Sequence, residues 1–176
     1  MGRQLARRLD IPFLDSDHAI EQRLGCSIRE YFERQGEERF RDIETEVLGQ
    51  LVQQAHGVLS TGGGSVLREQ NRDLLRHSGQ VFYLHASPQE VFRRLRHDRH
   101  RPLLQVADPL KRLHDLFALR DPLYRAAAHH VIESPRPSVG AMVQGVLQHL
   151  ERAPESDPVP GTSPTPTLAP PASPSH

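Results

Sequence analysis

The chain has 176 residues, which is enough for one domain with a substantial core but short for two. Its 22 basic and 22 acidic residues balance to zero formal charge, so no net field attracts nucleic acid or an anionic membrane. The single cysteine excludes an intrachain disulfide and a cysteine-rich zinc site. Because no signal peptide or long apolar run is visible, we expect a soluble cytoplasmic protein.

The first residues predict a helix that leads directly into a strand. Apolar residues one turn apart indicate a helix over 1–9, although no capping residue precedes it. The apolar run 11–14 predicts a strand, and Asp15 and Asp17 follow at its end. A helix followed by such a strand is typical of the second half of a βαβ unit.

Capping signals predict the helices that come next. Ser27 and Glu30 form a capping-box pattern, which should open a short helix ending at Gly36. Apolar residues continue at helical spacing over 37–55, and a further helix is expected near 70–77.

Three more short apolar runs predict strands, at 58–60, 81–84 and 130–133. The first of them ends in a run of three glycines, 62–64. Strands that alternate with helices favour an α/β fold with a parallel sheet covered on both faces.

The helices of the second half are predicted from residues before proline. Ser87 precedes Pro88, with Glu90 completing a capping box, and the pairs 108–109 and 121–122 repeat this helix-start signal. A last helix is expected over 138–152.

Two segments do not fit this packed pattern. Residues 94–102 are too rich in arginine and histidine to pack, so we expect a mobile basic segment. From Ala153 onward, proline, serine and threonine dominate without apolar periodicity. We therefore expect a folded domain over 1–152 and a disordered tail over 153–176.

Four groups of residues could carry chemistry. The first two are the carboxylates of Asp15 and Asp17, and the pair Arg41 and Glu44, which share a helix face. The others are the glycine run 62–64 and the arginines Arg94, Arg101 and Arg125. Ligands bind beyond the carboxyl ends of parallel strands, so the carboxylates and glycines should share one edge of the sheet. Glu44 could orient Arg41 toward a ligand carboxylate.

Each group also has a structural interpretation. Asp17 could simply cap the next helix, and a glycine run is often a tight turn. Arg41 and Glu44 could be an exposed pair that stabilises the helix by a few tenths of a kcal/mol. The arginine-rich segment could be a solvated loop. The histidine pairs 97/100 and 129/130 lack neighbouring ligands at metal-binding spacing.

Order and spacing of six blocks identify a family resemblance. Gly-Arg-Gln-Leu-Ala, Phe-Leu-Asp-Ser-Asp, Phe-Arg-Asp-Ile-Glu, Ser-Thr-Gly-Gly-Gly, Arg-Pro-Leu-Leu and Pro-Leu-Tyr-Arg occur in the order found in the shikimate kinases. The resemblance covers roughly residues 2–150 and implies a P-loop, nucleoside-monophosphate-kinase-like three-layer fold with a parallel sheet ordered 2-3-1-4-5. It also implies a monomer that uses ATP and Mg²⁺ to phosphorylate the shikimate 3-hydroxyl on the route to chorismate and aromatic amino acids.

The resemblance assigns the substrate residues. Asp17 matches the aspartate that binds the shikimate hydroxyls and is the candidate base, whereas Asp15 matches the aspartate near Mg²⁺, acting through water. Arg41 and Arg125 match the arginines that bind the substrate carboxylate. The three glycines Gly62, Gly63 and Gly64 match the backbone turn over the substrate ring.

The resemblance also assigns the nucleotide residues. Arg101 matches a lid arginine that closes on the transferring phosphate, where it would neutralise charge and exclude water. Arg94 resembles the arginine beside the nucleotide base, and the resemblance places Arg136 in the adenine loop.

One part of the family pattern is missing. Shikimate kinases begin with a strand and a Gly-x-x-x-x-Gly-Lys-Ser/Thr loop, about 15–20 residues that this sequence does not contain. Lys111 lies on a predicted helix and cannot replace the loop lysine. We therefore expect the chain as written to fold poorly and not to bind ATP. A start codon placed too far downstream explains this better than a decayed gene, because every later site residue is intact.

Two other functions stay open. A shikimate sensor without nucleotide binding would keep Asp17, Arg41 and Arg125 but would not need Arg101. A related small-molecule kinase, such as a gluconate kinase, fits less well with two carboxylate-binding arginines beside a glycine run.

Overall fold

Short parallel strands alternate with helices in the computed structural model. The structure describes residues 1–54, 56–95, 108–133 and 138–152, without the side chains of 94 and 95. The strands are β1 (Phe13–Asp15), β2 (Val58–Ser60), β3 (Phe82–Leu84) and β4 (His130–Ile132). The helices are α1 (Gly2–Leu9), α2 (Ser16–Leu24), α3 (Ile28–Gln54), α4 (Glu69–Ser78), α5 (Pro88–Leu95), α6 (Pro109–Ala127) and α7 (Val139–Arg152). A 3-10 turn, Ser65–Leu67, precedes α4.

The strands form two parallel pairs. In one pair Phe13 of β1 lies opposite Val58 of β2, and in the other Phe82 of β3 lies opposite His130 of β4. Within the described ranges β2 and β3 do not pair, and a cavity of about 620 Å³ separates them. The predicted α/β class is therefore confirmed, and the arrangement agrees with the order 2-3-1-4-5 if the cavity takes the position of the first strand.

Two apolar clusters form the core of the described residues. One joins α1, β4 and α7 through Leu5, Ile132, Met142, Val143 and Val146. The other joins α2 and α3 through Ile20, Phe40, Val47 and Leu51. Burial of each amphipathic helix face against a strand pair is what keeps the strand ends, and thus the candidate site, in place.

The predicted capping signals are present. The backbone N–H of Glu30 donates to Ser27 Oγ at 3.2 Å, and α3 is interrupted at Gly36, where φ is 81°. The Ser87 N–H donates to Glu90 Oε2 at 3.0 Å, and the Glu90 N–H donates to Ser87 Oγ at 3.3 Å. These local patterns needed no tertiary context, since every partner lies within three residues.

The helix start predicted at 121–122 is wrong. Helix α6 begins after Asp108, which caps it, and continues through Pro122 to Ala127. The Asp121 carboxylate does not cap, because it accepts hydrogen bonds from Tyr83 Oη at 3.0 Å and Arg125 Nε at 2.8 Å. Helix α6 therefore passes through Pro122, which lacks the N–H for one backbone hydrogen bond.

Among the described helices, none has the length and apolarity required to cross a lipid bilayer. The expectations for the basic segment beyond residue 95 and for the tail 153–176 lie outside the described residues.

Candidate functional site

The glycine run after β2 is the place where the predicted site residues meet. A methyl group on Gly62 would lie 2.6 Å from Asp17 Oδ1, and one on Gly64 would lie 2.6 Å from Arg41 Nη2. Asp17 comes from α2 and Arg41 from α3, so two helices converge on this backbone. Any side chain at Gly62 or Gly64 would occupy the space that these charged groups now use.

The middle glycine of the run faces α6. A methyl group on Gly63 would lie 2.9 Å from Tyr124 Oη and 3.8 Å from Arg120 Nη1. The Tyr124 hydroxyl donates to the Gly63 carbonyl at 2.8 Å, which ties α6 to the glycine run. The run therefore has an acidic side chain at one end and guanidinium groups at the other positions.

Asp15, not Asp17, caps helix α2. Its Oδ1 accepts the backbone N–H groups of Asp17 at 3.1 Å and His18 at 3.2 Å. The structural interpretation of Asp17 as the cap is thus wrong, because Asp17 lies in the first turn of the helix. Its carboxylate is left to face Gly62.

The environment of Asp17 disfavours its charged form. Partial burial of the carboxyl raises the pKa of Asp17, and the negative charges of Asp15, Glu44 and Glu21 raise it further, against the opposing charge of Arg41. A carboxylate with a raised pKa accepts a proton more readily, which is what a general base requires.

Arg41 and Glu44 are not an exposed pair. The Glu44 side chain is 2% exposed, and its Oε2 accepts from Arg41 Nη1 at 2.7 Å. Glu37 accepts from Arg41 Nη2 at 3.0 Å and from Nε at 3.3 Å. Burial by itself lowers the pKa of Arg41, but the hydrogen bonds and charges of Glu44 and Glu37 outweigh it and raise the pKa.

Arg41 consequently has limited capacity for a further ligand. Three of its five N–H donors are used by the two glutamates, and two remain. Its charge is already compensated locally. A second cation is needed if this cleft is to attract an anionic ligand.

Arg120 is a site residue that the sequence analysis missed. Its Nε is buried and has no hydrogen-bond partner among the described residues, while its Nη1 lies near Gly63. Arg120 and Tyr124 are four residues apart on α6 and share a face. This spacing was the available signal, but the helix start wrongly predicted at 121–122 placed the two residues on different elements.

Arg125 lies elsewhere on α6. Its Nε donates to Asp121 at 2.8 Å and its Nη2 donates to Glu133 at 3.4 Å. Burial by itself raises the pKa of Asp121, but hydrogen bonds from Arg125 and Tyr83 outweigh it and lower the pKa. The structure thus places Arg125 in an ion-pair cluster beside the ends of β3 and β4, without a described contact to the glycines.

The predicted nucleotide residues are not described. The side chain of Arg94, together with Arg101 and Arg136, falls outside the described residues. Within the described ranges no three acidic, histidine or cysteine side chains gather as a metal site. Asp15, the predicted Mg²⁺ residue, is a single carboxylate, and Mg²⁺ is commonly held by one or two carboxylates together with nucleotide phosphates.

Fold and site together define a class of protein. The cleft lies at the carboxyl ends of parallel strands, where open α/β sheets bind their ligands. It offers a carboxylate with a raised pKa, the backbone of the glycine run and the Arg120 guanidinium, whose Nη1 lies near Gly63. These features define an α/β protein whose cleft suits a small anion that carries hydroxyl groups.

Comparison with known proteins identifies the family. The shikimate kinase family model matches residues 1–151. The shikimate kinase of Paracidovorax citrulli is 56% identical over 156 residues, which are 87% of this chain and 85% of that protein. That of Ralstonia nicotianae is 50% identical over 165 residues, 94% of this chain and 87% of that protein. The chain belongs to the shikimate kinase family.

Solved structures support the same assignment. The shikimate kinase from Acinetobacter baumannii, in complex with shikimate, has a TM-score of 0.79 and 43% identity, covering 85% of this chain and 84% of that one. The shikimate kinase from Bacteroides thetaiotaomicron has a TM-score of 0.77 and 30% identity, covering 85% and 89%. The P-loop kinase fold implied by the sequence is therefore confirmed.

Proposed function

We propose that this chain binds shikimate and provides the acceptor site for phosphoryl transfer from ATP to the 3-hydroxyl. The observation that carries this proposal is the convergence of Asp17, Arg41 and Arg120 on the glycine run 62–64. Shikimate carries one carboxylate and three hydroxyls. A cleft with guanidinium groups, one carboxylate and bare backbone suits that combination.

We assign the substrate carboxylate to Arg120, with Arg41 beside it. Arg120 brings a guanidinium whose Nε has no partner in the described part of the chain. Arg41 is held by Glu37 and Glu44, which compensate its positive charge. Its contribution to the ligand is therefore two oriented N–H donors. The sequence-based assignment to Arg125 becomes the alternative, since Arg125 already pairs with Asp121 and Glu133.

Asp17 is the proposed base for the attacking hydroxyl. Phosphoryl transfer depends mainly on alignment and charge neutralisation, and a positioned base contributes on the order of 10²–10⁴-fold to such reactions. The raised pKa of Asp17 fits this role. The absence of a side chain at Gly62 lets the Asp17 carboxylate lie against the backbone of the glycine run.

Shikimate kinases use ATP, and the nucleotide part of this site is a proposal. Bound with Mg²⁺, ATP supplies the phosphoryl group, and Asp15 would hold the metal through water. Arg101 is proposed to close over the phosphate, with Arg94 and Arg136 beside the base. The sequence contains no Gly-x-x-x-x-Gly-Lys-Ser/Thr motif, so we expect phosphoryl transfer only when such a loop precedes α1. We propose a monomer.

Calorimetric titration with shikimate and gluconate tests the acceptor site. We expect the chain to bind shikimate and not gluconate. A second form, extended at its amino end by a strand and phosphate-binding loop, should also transfer phosphate in a coupled assay. If the extended form binds shikimate without transferring phosphate, the sensor function holds instead. Preference for gluconate would contradict the shikimate assignment.

Alanine at Gly64 should damage the site. Its methyl group would lie 2.6 Å from Arg41 Nη2 and 2.7 Å from Cζ, so the partly buried guanidinium must move. We expect shikimate affinity to fall by roughly tenfold or more, since charged hydrogen bonds are lost. Gly49→Ala is the matched control, because nothing lies within 4 Å of the added methyl. That helix substitution should leave affinity unchanged and stabilise the fold by up to about 1 kcal/mol.

A further inference from the structure

Ser65 connects the glycine run to the Arg41 pair. It follows the third glycine, is fully buried, and its Oγ donates to Glu44 Oε1 at 3.1 Å. Its backbone N–H donates to the Gly62 carbonyl at 3.1 Å. One residue therefore bonds both to the backbone that faces Asp17 and to the carboxylate that holds Arg41.

Asn71 of α4 holds Ser65 from the opposite side. Its side chain is fully buried, and its Nδ2 donates to the Ser65 carbonyl at 3.0 Å. The chain of contacts thus runs from Asn71 through Ser65 and Glu44 to Arg41. Every link is a hydrogen bond of ordinary length, and the inner members are shielded from water.

A buried carboxylate is fixed in orientation only when both its oxygens have partners. Glu44 Oε2 binds Arg41 Nη1 at 2.7 Å, so Oε1 depends on the Ser65 hydroxyl. Without that hydroxyl, the buried oxygen would be unsatisfied and the carboxylate could rotate toward other donors. The direction of the two free Arg41 donors would then change.

We propose that Ser65, held by Asn71, is a positioning residue that fixes Glu44 and thereby aims Arg41 at the ligand over the glycine run. Ser65 does not itself touch the ligand. The inference rests on the proposed function for the identity of that ligand, shikimate. The geometry of the Arg41 guanidinium can be measured in the absence of any ligand.

The test compares Ser65→Ala with the wild type in the full chain. We expect shikimate affinity measured by calorimetry to fall by about 3- to 10-fold, a typical coupling within one hydrogen-bond network. Without ligand, the ¹⁵N resonance of the Arg41 Nε–H should broaden or shift. In a Glu44→Gln background, Ser65→Ala should change the affinity no further.

Val143→Ala is the matched control for general destabilisation. Val143 belongs to the core cluster of α1, β4 and α7 and is absent from the Arg41 network. It should lower the melting temperature without altering the Arg41 resonance or the affinity. If Ser65→Ala leaves the Arg41 resonance and the affinity unchanged, the positioning role is overturned. If the wild type does not bind shikimate, the proposed function fails. An Arg41 resonance that is altered in Ser65→Ala would still support the positioning of Arg41 by Ser65.

Discussion

Replacing Arg120 by methionine is expected to weaken shikimate binding by roughly 10- to 100-fold, the usual loss when a charged hydrogen-bond partner is removed. Methionine keeps most of the apolar stem but removes the guanidinium near Gly63. The buried Nε has no partner among the described residues, so its removal breaks no described ion pair. Calorimetry with shikimate measures the loss directly.

Arg125→Met provides the matched control on the same helix. Its guanidinium pairs with Asp121 and Glu133, so we expect an effect on stability and less than about a threefold change in affinity. Shikimate methyl ester refines the test, because it should bind the wild type weakly and lose no further affinity in Arg120→Met. If only Arg125→Met weakens binding, the sequence-based assignment of the carboxylate to Arg125 is correct.

Replacing Asp17 by asparagine should lower phosphoryl transfer by about 10²–10⁴-fold in the form that carries a phosphate-binding loop. Asparagine keeps the size and one acceptor oxygen beside Gly62 but cannot take the hydroxyl proton. Shikimate affinity should change much less than turnover. A comparable loss in affinity and turnover would instead indicate that Asp17 only binds the substrate.

The same substitution should stabilise the folded chain at neutral pH. The pKa of Asp17 is raised in the folded state from the ordinary value of 3.8, so the folded state holds the proton more tightly than the unfolded state. The free energy of unfolding of the wild type therefore falls as pH rises from 3.8 through the pKa of Asp17 in the folded state. Above that pKa the loss of stability is complete. Asp17→Asn does not undergo this loss.

Melting curves at several pH values check this. The melting temperature of Asp17→Asn should exceed that of the wild type most near neutral pH. The difference should disappear at a pH low enough to protonate Asp17 in both the folded and the unfolded wild type. A constant difference at all pH values would contradict the role assigned to the Asp17 charge. Activity of the wild type should likewise fall, as pH decreases, at a higher pH than for an ordinary carboxyl.

Local rules predicted most of the elements. The capping pair of Ser27 and Glu30 and the interruption at Gly36 are both present, because their partners lie a few residues apart. The alternation of strands and helices predicted the α/β class, and the family blocks assigned Asp17, Arg41 and the glycines to one substrate site. The same local rules failed at Pro122, because the Asp121 carboxylate accepts hydrogen bonds from Tyr83 and Arg125 and does not cap a helix.

By itself, then, the sequence determined the order of helices and strands, the family, and which residue types could bind a small anion. Those properties depend on neighbours along the chain and on short blocks. Only the tertiary structure decided that Asp15 caps α2, that Glu44 is buried, and that Arg120 faces the glycine run while Arg125 does not. These outcomes depend on contacts between distant elements, because packing of α6 against the glycine run determines which face of that helix meets the site.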